Sequence, residues 1–316
     1  MHSGHNIPLS NTNTSLFMKR LFLFLTAILL CAATMHARKP LAKHVVMIAI
    51  DGWGGYSLKH TDSLPNIRTL MDEGCWTARK RSVLPSSSAI NWASMFNGCP
   101  TEVHGYTKWN SRRPEIPSRW EGAHGIIPTI YTLLGEQMPA AHTACIYEWD
   151  GIKHLIDTLA VTHHALSVDY EKHPSQIIDM AEACILHDAP TFLSVCLDGL
   201  DHEGHAAGHD TPGYYAKLRE YDGYIGRILK TIRQTAWAND CIVILTADHG
   251  GIKKTHGGAS LSELETPFII AGKHVKRGGE FEESMMQYDT AATIAYIFGL
   301  KQPQVWTGRP MTQVFK

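Results

Sequence analysis

Three apolar segments of this chain have the composition of buried β-strands, and each runs directly into a stretch that carries aspartate or histidine. The segments are HVVMIAI at 44–50, FLSVCL at 192–197 and CIVILTA at 241–247. Continuous apolar runs of this length are typical of strands that are covered on both faces, as in parallel sheets. Because ligands of open α/β sheets bind at the carboxyl ends of the strands, the polar residues that follow are expected to converge there.

Segments with helical character alternate with these strands. The clearest runs from Pro212 to Arg233, where apolar residues recur every three or four positions. Another starts at the N-cap candidate Asp289 and stops at Gly299. Further helices are predicted at 65–74, 88–97, 126–137 and 174–187, and a further strand at 267–272. The alternation predicts an α/β fold with a mostly parallel central sheet and helices on both faces.

The N-terminal 37 residues have the pattern of an export signal. Two basic residues precede an apolar run at 21–34, and small residues follow it. The run is too short for an ordinary membrane-spanning helix, so an uncleaved anchor is the disfavoured alternative. We predict a signal peptide over 1–37, with Met18 as an alternative start, and a periplasmic or secreted protein without a stable span after cleavage.

The remaining residues, 38–316, suit a single catalytic domain. The chain is 44% hydrophobic and 19% charged, which is enough apolar surface for a full core. Its net charge of -1 gives no basic field, so a nucleic acid polymer is an unlikely partner. Six cysteines follow the signal, and their spacing predicts neither a disulfide pairing nor a C-x-x-C metal site. Nothing in the pattern predicts an oligomeric state.

The residues at the predicted sheet edge are of the types that bind divalent transition metals, which prefer imidazole nitrogen and carboxylate oxygen. Asp201 and His205 are four residues apart and would share one face of a helix. Asp248 and His249 are adjacent, and His256 lies in THGG, where glycines let the backbone pass close to a site. Singly, each is more often a capping aspartate or a core histidine. Their shared place at one edge favours a metal centre.

A serine cluster opens the predicted helix at 88–97. The N-terminus of a helix offers backbone N–H groups to phosphoryl oxygens, and two metal ions about 3.5–4 Å apart suit displacement at phosphorus. Ser86, Ser87 and Ser88 all lie where this helix begins. Serine is also a frequent N-cap, and composition does not choose among the three.

Together these segments resemble the alkaline phosphatase superfamily and, within it, the type I phosphodiesterase/nucleotide pyrophosphatase family. The resemblance runs from about Lys43 to Arg309. It is carried by AIDGWG (49–54), LPNIRTLMDEG (64–74), PSSSAINWASMFNGCPTEVHG (85–105), DGLDHEGH (198–205), YDGYIGRIL (221–229), TADHGG (246–251), THGG (255–258) and TPFIIAG (266–272). It implies an alkaline-phosphatase-like sandwich with a small cap insertion.

The resemblance also implies the nucleophile. In the family it sits 16 residues before the histidine of an HG pair, and counting back from His104 gives Ser88. Many phosphodiesterase members carry threonine there, so serine is a departure. Asn110 is implied to bind a phosphoryl oxygen, one residue later than the family spacing. The alternative for Asn110 is an ordinary turn residue.

Two zinc ions are implied as cofactors, although manganese or iron would also suit the ligand types. One ion is implied at Asp51, Asp248, His249 and Ser88, and the other at Asp201, His205 and His256. The implied reaction is a two-step displacement on a small phosphate ester through a covalent serine intermediate.

Three functions follow from this resemblance. A diesterase or pyrophosphatase is favoured because the segment 146–155, IYEWDGIKHL, lacks the K-x-R pair of one monoesterase group. A phosphomonoesterase is the alternative, with Lys108, Arg112 and Arg113 as its cations. A catalytically silent binding homologue is disfavoured because all six Asp and His ligands are present. The residues after Ser88 lack the sulfatase context.

Overall fold

The computed structural model describes Met1 and residues 38–168 and 172–316. Apart from Met1, the predicted signal peptide lies outside the described residues. Lys39–Lys316 form one compact unit. Within the described residues, no helix has both the length and the apolar character needed to cross a membrane.

Among the described residues of this unit, eight strands form one sheet. They are β1 (His44–Ile50), β2 (Cys75–Arg81), β3 (Thr143–Tyr147), β4 (His163–Leu166), β5 (Phe192–Leu197), β6 (Cys241–Ala247), β7 (Glu265–Gly272) and β8 (Gly279–Glu280). Their order is β4-β3-β5-β1-β6-β7-β2-β8. The five strands from β4 to β6 are mutually parallel, whereas β7 runs antiparallel to both of its neighbours. The predicted mostly parallel sheet is confirmed.

Nine helices accompany the sheet among the described residues. They are α1 (Pro65–Glu73), α2 (Ser88–Asn97), α3 (Thr101–His104), α4 (Ile130–Gln137), α5 (Gln176–His187), α6 (Gly199–Ala207), α7 (Pro212–Arg233), α8 (Leu261–Leu264) and α9 (Asp289–Phe298). Short 3₁₀ segments lie at Gly55–Ser63, Asp150–His154, Ala238–Asp240 and Thr312–Val314.

The central strands are buried on both faces, which explains their continuous apolar sequences. Val45, Met47 and Ala49 of β1 point into one core, which α2, α4 and α9 also line. The alternate residues of β1 point into a second core, shared with α1, α5 and α7. Because helices cover both faces of the sheet, only the two ends of the central strands remain open for a site.

Four strands, β2, β3, β4 and β8, were not predicted from the sequence, and the helices starting at Ile130 and Asp289 begin at other residues than predicted. β2 reads CWTARKR and β4 reads HHAL, and both carry too many polar or exposed side chains to look like buried strands. Asp289 was predicted to cap α9, but it is the first helical residue. Its carboxylate accepts the N–H groups of Met286, at 2.7 Å, and Arg309, at 2.8 Å, and so braces the chain around the helix start.

The HG pair at the end of α3, His104 and Gly105, has a structural role. The ring of His104 is fully buried, with Nε2 3.0 Å from Ser94 Oγ and Nδ1 accepting the Tyr106 N–H at 3.1 Å. Gly105 has φ +81°, and a Cβ there would lie 1.9 Å from the Ile116 carbonyl oxygen. The pair therefore fixes the path of the chain where it turns back beside α2.

Burial lowers the pKa of His104 to about 3. Between its ordinary value near 6.5 and this value, the unfolded chain binds the proton and the folded chain does not. We therefore expect His104 to lower the free energy of unfolding by up to about 1.4 kcal/mol for each unit that the pH falls below 6.5. Denaturant unfolding of the wild type and His104→Gln at pH 7 and pH 5 measures it. Parallel pH profiles of the two proteins would contradict the prediction.

Candidate active site

The carboxyl ends of the central strands bring the first predicted ligand set together. Ile50 of β1 pairs with Ala247 of β6, so the residues that follow, Asp51 and Asp248, are neighbours. His249 Nε2 lies 3.3 Å from Asp51 Oδ1 and 3.3 Å from Asp248 Oδ2. All three residues are at most 2% exposed. The structure thus brings the three residues of this set together at the carboxyl ends of β1 and β6.

The second predicted set assembles beside the first, where β5 leads into α6. Asp201 Oδ2 lies 3.1 Å from His205 Nε2 and 3.8 Å from His256 Nε2. The rings of His256 and His249 stack with centroids 3.9 Å apart, which places the two sets against each other. Ligand atoms of Asp201 lie within 4.8 Å of those of both sets.

Each histidine of these sets is oriented by a backbone carbonyl. Nδ1 lies 3.0 Å from the Lys254 oxygen in His205, 3.1 Å from the Ser86 oxygen in His256 and 2.8 Å from the Gly250 oxygen in His249. This arrangement turns every Nε2 toward the carboxylates. It is the orientation in which histidine side chains bind metal ions, with the second ring nitrogen held by the protein.

Ser88 is the serine that joins this cluster. It is the first residue of α2, and its Oγ lies 3.2 Å from His249 Nε2. Ser86 Oγ instead donates to the Gly258 carbonyl at 2.7 Å and accepts the Gly257 N–H at 3.2 Å. Ser87 lines the neighbouring cavity. Geometry therefore separates three serines that composition leaves equivalent.

The carboxylates of the cluster are buried at high electrostatic cost. Burial, and then repulsion by Asp248, holds the pKa of Asp51 well above its usual range. Burial, and then repulsion by Asp201, raises the pKa of Asp248 to about 8. Burial also acts to raise the pKa of Asp201, but the neighbouring side chains of His205 and His209 outweigh it and hold that pKa well below its usual range. Three buried acids side by side call for compensating positive charge.

Several atoms of the cluster have no hydrogen-bond partner within the described part of the chain. Asp51 Oδ2 accepts the Trp92 Nε1–H at 3.0 Å, and Asp248 Oδ1 accepts two backbone N–H groups. Asp51 Oδ1, Asp248 Oδ2 and Asp201 Oδ1 are left without a donor. Buried oxygens such as Asp51 Oδ1 and Asp248 Oδ2 are positions that metal ions satisfy, so the residues present fit a metal centre.

A cavity of about 480 Å³ opens onto the cluster. It is lined by Ser87, Ser88, Trp109, Trp149, Asp198, Asp201, His202, His205, Thr255 and His256. Asn110 is exposed and is not among these lining residues. Its neighbour Trp109 is, and the Trp109 carbonyl accepts the Ala89 N–H at 3.0 Å. The implied role of Asn110 stays a prediction.

His209 is a buried residue of this site that sequence reasoning missed. Its side chain is 0% exposed, and Nε2 lies 3.4 Å from Asp201 Oδ1. A signal was present, because Asp201, His205 and His209 follow one another at intervals of four. α6 ends at Ala207, however, and Gly208, with φ +104°, turns the chain back so that His209 reaches Asp201 from another side.

Sheet, helices and cluster together define the alkaline-phosphatase-like fold. A solved structure of murine ectonucleotide pyrophosphatase/phosphodiesterase 5 in complex with AMP aligns with a TM-score of 0.68 at 14% identity, covering 87% of this chain and all of that one. A 2-O GAG sulfatase aligns with a TM-score of 0.67 at 14% identity, covering 88% of this chain and 74% of that one. At these identities the likeness concerns the fold.

The family follows from the sequence match. Residues 45–264 match the model of the type I phosphodiesterase/nucleotide pyrophosphatase family, and the chain belongs to that family. It is 33% identical over 178 residues to the catalytic subunit of GPI ethanolamine phosphate transferase 2 from Homo sapiens, covering 51% of this chain and 18% of that protein. It is 25% identical over 226 residues to ectonucleotide pyrophosphatase/phosphodiesterase family member 3 from Mus musculus, covering 65% and 24%. The chain thus spans about a quarter or less of these two relatives.

Proposed function

We propose that this protein is a phosphodiesterase/nucleotide pyrophosphatase that hydrolyses small phosphate diesters or pyrophosphates through a covalent intermediate on Ser88. The observation that carries the proposal is the contact of Ser88 Oγ with His249 Nε2, at 3.2 Å, at the edge of a buried Asp and His cluster. A hydroxyl at a helix start beside donor-free carboxylate oxygens is the arrangement that nucleophilic phosphoryl transfer needs.

Two zinc ions are the proposed cofactors. One would be held by Asp51, Asp248, His249 and Ser88, and the other by Asp201, His205 and His256. Bound there, zinc would lower the pKa of the attacking hydroxyl and of water, and would offset the negative charge that develops around phosphorus. The donor set of imidazole and carboxylate, with its donor-free oxygens, supports this assignment.

The protein's own contribution is to present the nucleophile. Ser88 Oγ forms a bond to phosphorus while the bond to the leaving group breaks, and the alcohol or phosphate that leaves takes up the proton that Ser88 gives up. Water then adds its hydroxyl to phosphorus, the serine ester bond breaks, and the second proton of that water restores the Ser88 hydroxyl. The loop that carries Asp51 is held for this chemistry. Tyr214 OH donates to the Gly52 carbonyl at 2.9 Å and accepts the Gly54 N–H at 3.1 Å.

The cavity lining favours diesters over monoesters. A terminal phosphate carries an extra negative charge, which monoesterases neutralise with cationic side chains. Among the described residues that line the cavity, none is lysine or arginine. Arg112 and Arg113 line a separate cavity of about 260 Å³ together with Lys153. Two of the three cations of the monoester alternative, Arg112 and Arg113, therefore lie beside another cavity, and Lys108 lines neither of the two.

A substrate panel tests the proposed function. We expect a higher kcat/KM for bis-(p-nitrophenyl) phosphate and p-nitrophenyl-TMP than for p-nitrophenyl phosphate, because no lysine or arginine among the described residues lines the cavity to bind the second charge. The Ser88→Ala variant, purified in the same way as the wild type, serves as the control for contaminating phosphatases. The reverse ranking would assign the protein to the monoesterases. Zinc-loaded protein without turnover of any ester would support a silent binding homologue.

We also propose that the protein is exported from the cytoplasm. The predicted signal peptide over 1–37 supports a periplasmic or secreted enzyme that meets small phosphate esters outside the cytoplasm. Sequencing the N-terminus of the mature protein tests this directly, because cleavage near residue 37 is expected and an intact leader contradicts it.

A further inference from the structure

We propose that His209 is a positioning residue, which donates its Nε2–H to Asp201 Oδ1 and so leaves Oδ2 to serve the set formed with His205 and His256. The inference deepens the proposed function, since it concerns how the same site is held. It rests on two buried atoms that face each other. His209 Nε2 and Asp201 Oδ1 are 3.4 Å apart, and neither has a hydrogen-bond partner within the described residues.

The hydrogen is assigned to Nε2 by the needs of the neighbouring acceptors. His209 Nδ1 lies 3.2 Å from the Lys253 carbonyl, which can accept two hydrogen bonds but already has one donor, the backbone N–H of His209 at 2.6 Å. Asp201 Oδ1 has no other donor. A buried carboxylate oxygen is the stronger acceptor and the more costly to leave unpaired.

His209 lies close to Asp201 but forms no three-residue ligand group with the other members of the site as the side chains stand. Ligands about 2.0–2.1 Å from one zinc ion are at most about 4.2 Å apart. Asp201, His205 and His256 meet that spacing loosely, with ligand atoms within 4.8 Å of one another, as do Asp51, Asp201 and His249. His209 belongs to neither set. Its effect therefore passes through Asp201.

The ring of His209 occupies a slot that only glycines leave open. A Cβ on Gly204 would lie 2.4 Å from Nε2, and a Cβ on Gly251 would lie 2.3 Å from Cδ2 of the ring. Both glycines belong to the metal-ligand segments DGLDHEGH and TADHGG. The backbone of both segments thus fixes the ring, and the ring fixes the carboxylate.

Asp201 can serve either of two groups of ligands, because its carboxylate is close to His205 and His256 and also to Asp51 and His249. Asp201 Oδ2 faces His205 and His256, while Oδ1 lies against Gly52, where a Cβ would be 2.7 Å away. Without a donor on Oδ1, the carboxylate is free to turn that oxygen toward Asp51 and His249. His209 therefore decides which set Asp201 serves.

The matched pair His209→Met and His209→Gln tests this role, because the two side chains have nearly the same shape and only glutamine carries a donor. Each purified protein is titrated with zinc against a chelator of known affinity, and kcat and KM are measured on bis-(p-nitrophenyl) phosphate. We expect His209→Met to weaken one of the two zinc sites by about 10- to 100-fold, and His209→Gln to recover most of that loss. His187→Leu, at the exposed end of α5, is the control for histidine loss.

Equal zinc affinities in His209→Met and the wild type would overturn the proposal, as would equal impairment of the Met and Gln variants. Because the zinc titration does not depend on turnover, an inactive protein would reject the proposed function without touching this inference. A measurement on the wild type covers variants that fail to fold. A ¹H–¹⁵N spectrum of the metal-free protein should show the ring hydrogen of His209 on Nε2, and a hydrogen on Nδ1 alone would overturn the assignment.

Discussion

Ser88→Ala is expected to lower kcat on bis-(p-nitrophenyl) phosphate at least about 1,000-fold, a loss typical of removing a covalent nucleophile. The hydroxyl lies 3.2 Å from His249 Nε2 at the first residue of α2, and alanine leaves no atom there to bond to phosphorus. Metal content should stay near that of the wild type, because Asp51, Asp248 and His249 all remain. Steady-state kinetics and elemental analysis on the same preparation measure both quantities.

Substitution of the neighbouring serines, and of Ser88 by threonine, provides the controls for this test. Ser88→Thr keeps the hydroxyl, and threonine is the residue of many family members, so it should retain measurable turnover. Unchanged rates in Ser88→Ala, with loss in Ser86→Ala or Ser87→Ala, would move the nucleophile to one of those residues. Loss of bound zinc in Ser88→Ala would mean that the hydroxyl is needed to hold the metal, and the drop in rate would then say nothing about nucleophilic attack.

Asp248→Asn is expected to separate stability from function. In the metal-free protein, burial and the nearby carboxylates raise the pKa of Asp248 to about 8, so its charged form is disfavoured at pH 7. Asparagine can keep the two backbone hydrogen bonds that Oδ1 accepts from Gly52 and His249. We therefore expect the metal-free variant to unfold at the same temperature as the metal-free wild type or higher. It should nevertheless lose one zinc ion and at least about 100-fold in kcat, because the anionic ligand is gone.

Thermal unfolding with and without excess chelator, zinc analysis and turnover measure these effects. Asp62→Asn is the matched control, since Asp62 is an exposed carboxylate of the 3₁₀ segment Gly55–Ser63. It should change none of the three quantities. A metal-free Asp248→Asn that melts well below the wild type would show that the carboxylate stabilises the fold, contrary to the electrostatic argument. Full zinc content in that variant would remove Asp248 from the ligands.

The parts of the fold that sequence reasoning located are those with a strong one-dimensional signal. β1, β5 and β6 were predicted with their observed bounds, because strands buried on both faces must be apolar at every position. α7 was found because it buries one face over 22 residues. β2 and β4 lacked such a signal, since β2 alternates buried and half-buried residues in a basic sequence and β4 is exposed at its start.

The site divides in the same way. The metal-ligating types at strand ends were readable, because a parallel sheet brings its carboxyl ends to one edge whatever the order of the strands. The choice among Ser86, Ser87 and Ser88 was not, since their difference lies in which way each hydroxyl turns at the start of α2. His209 escaped because its place depends on the reversal of the chain at Gly208. A backbone turn of that kind leaves little trace in residue spacing.

By itself, the sequence determined the fold class, the family and the residue types gathered at the sheet edge, because these depend on periodicity, composition and order along the chain. The tertiary structure alone decided which serine faces His249, that the arginines near Asn110 line a separate cavity, and that a fourth histidine, His209, lies against Asp201. These outcomes depend on distances of a few ångströms between segments far apart in sequence. Such distances are set by strand register and packing, which no local pattern encodes.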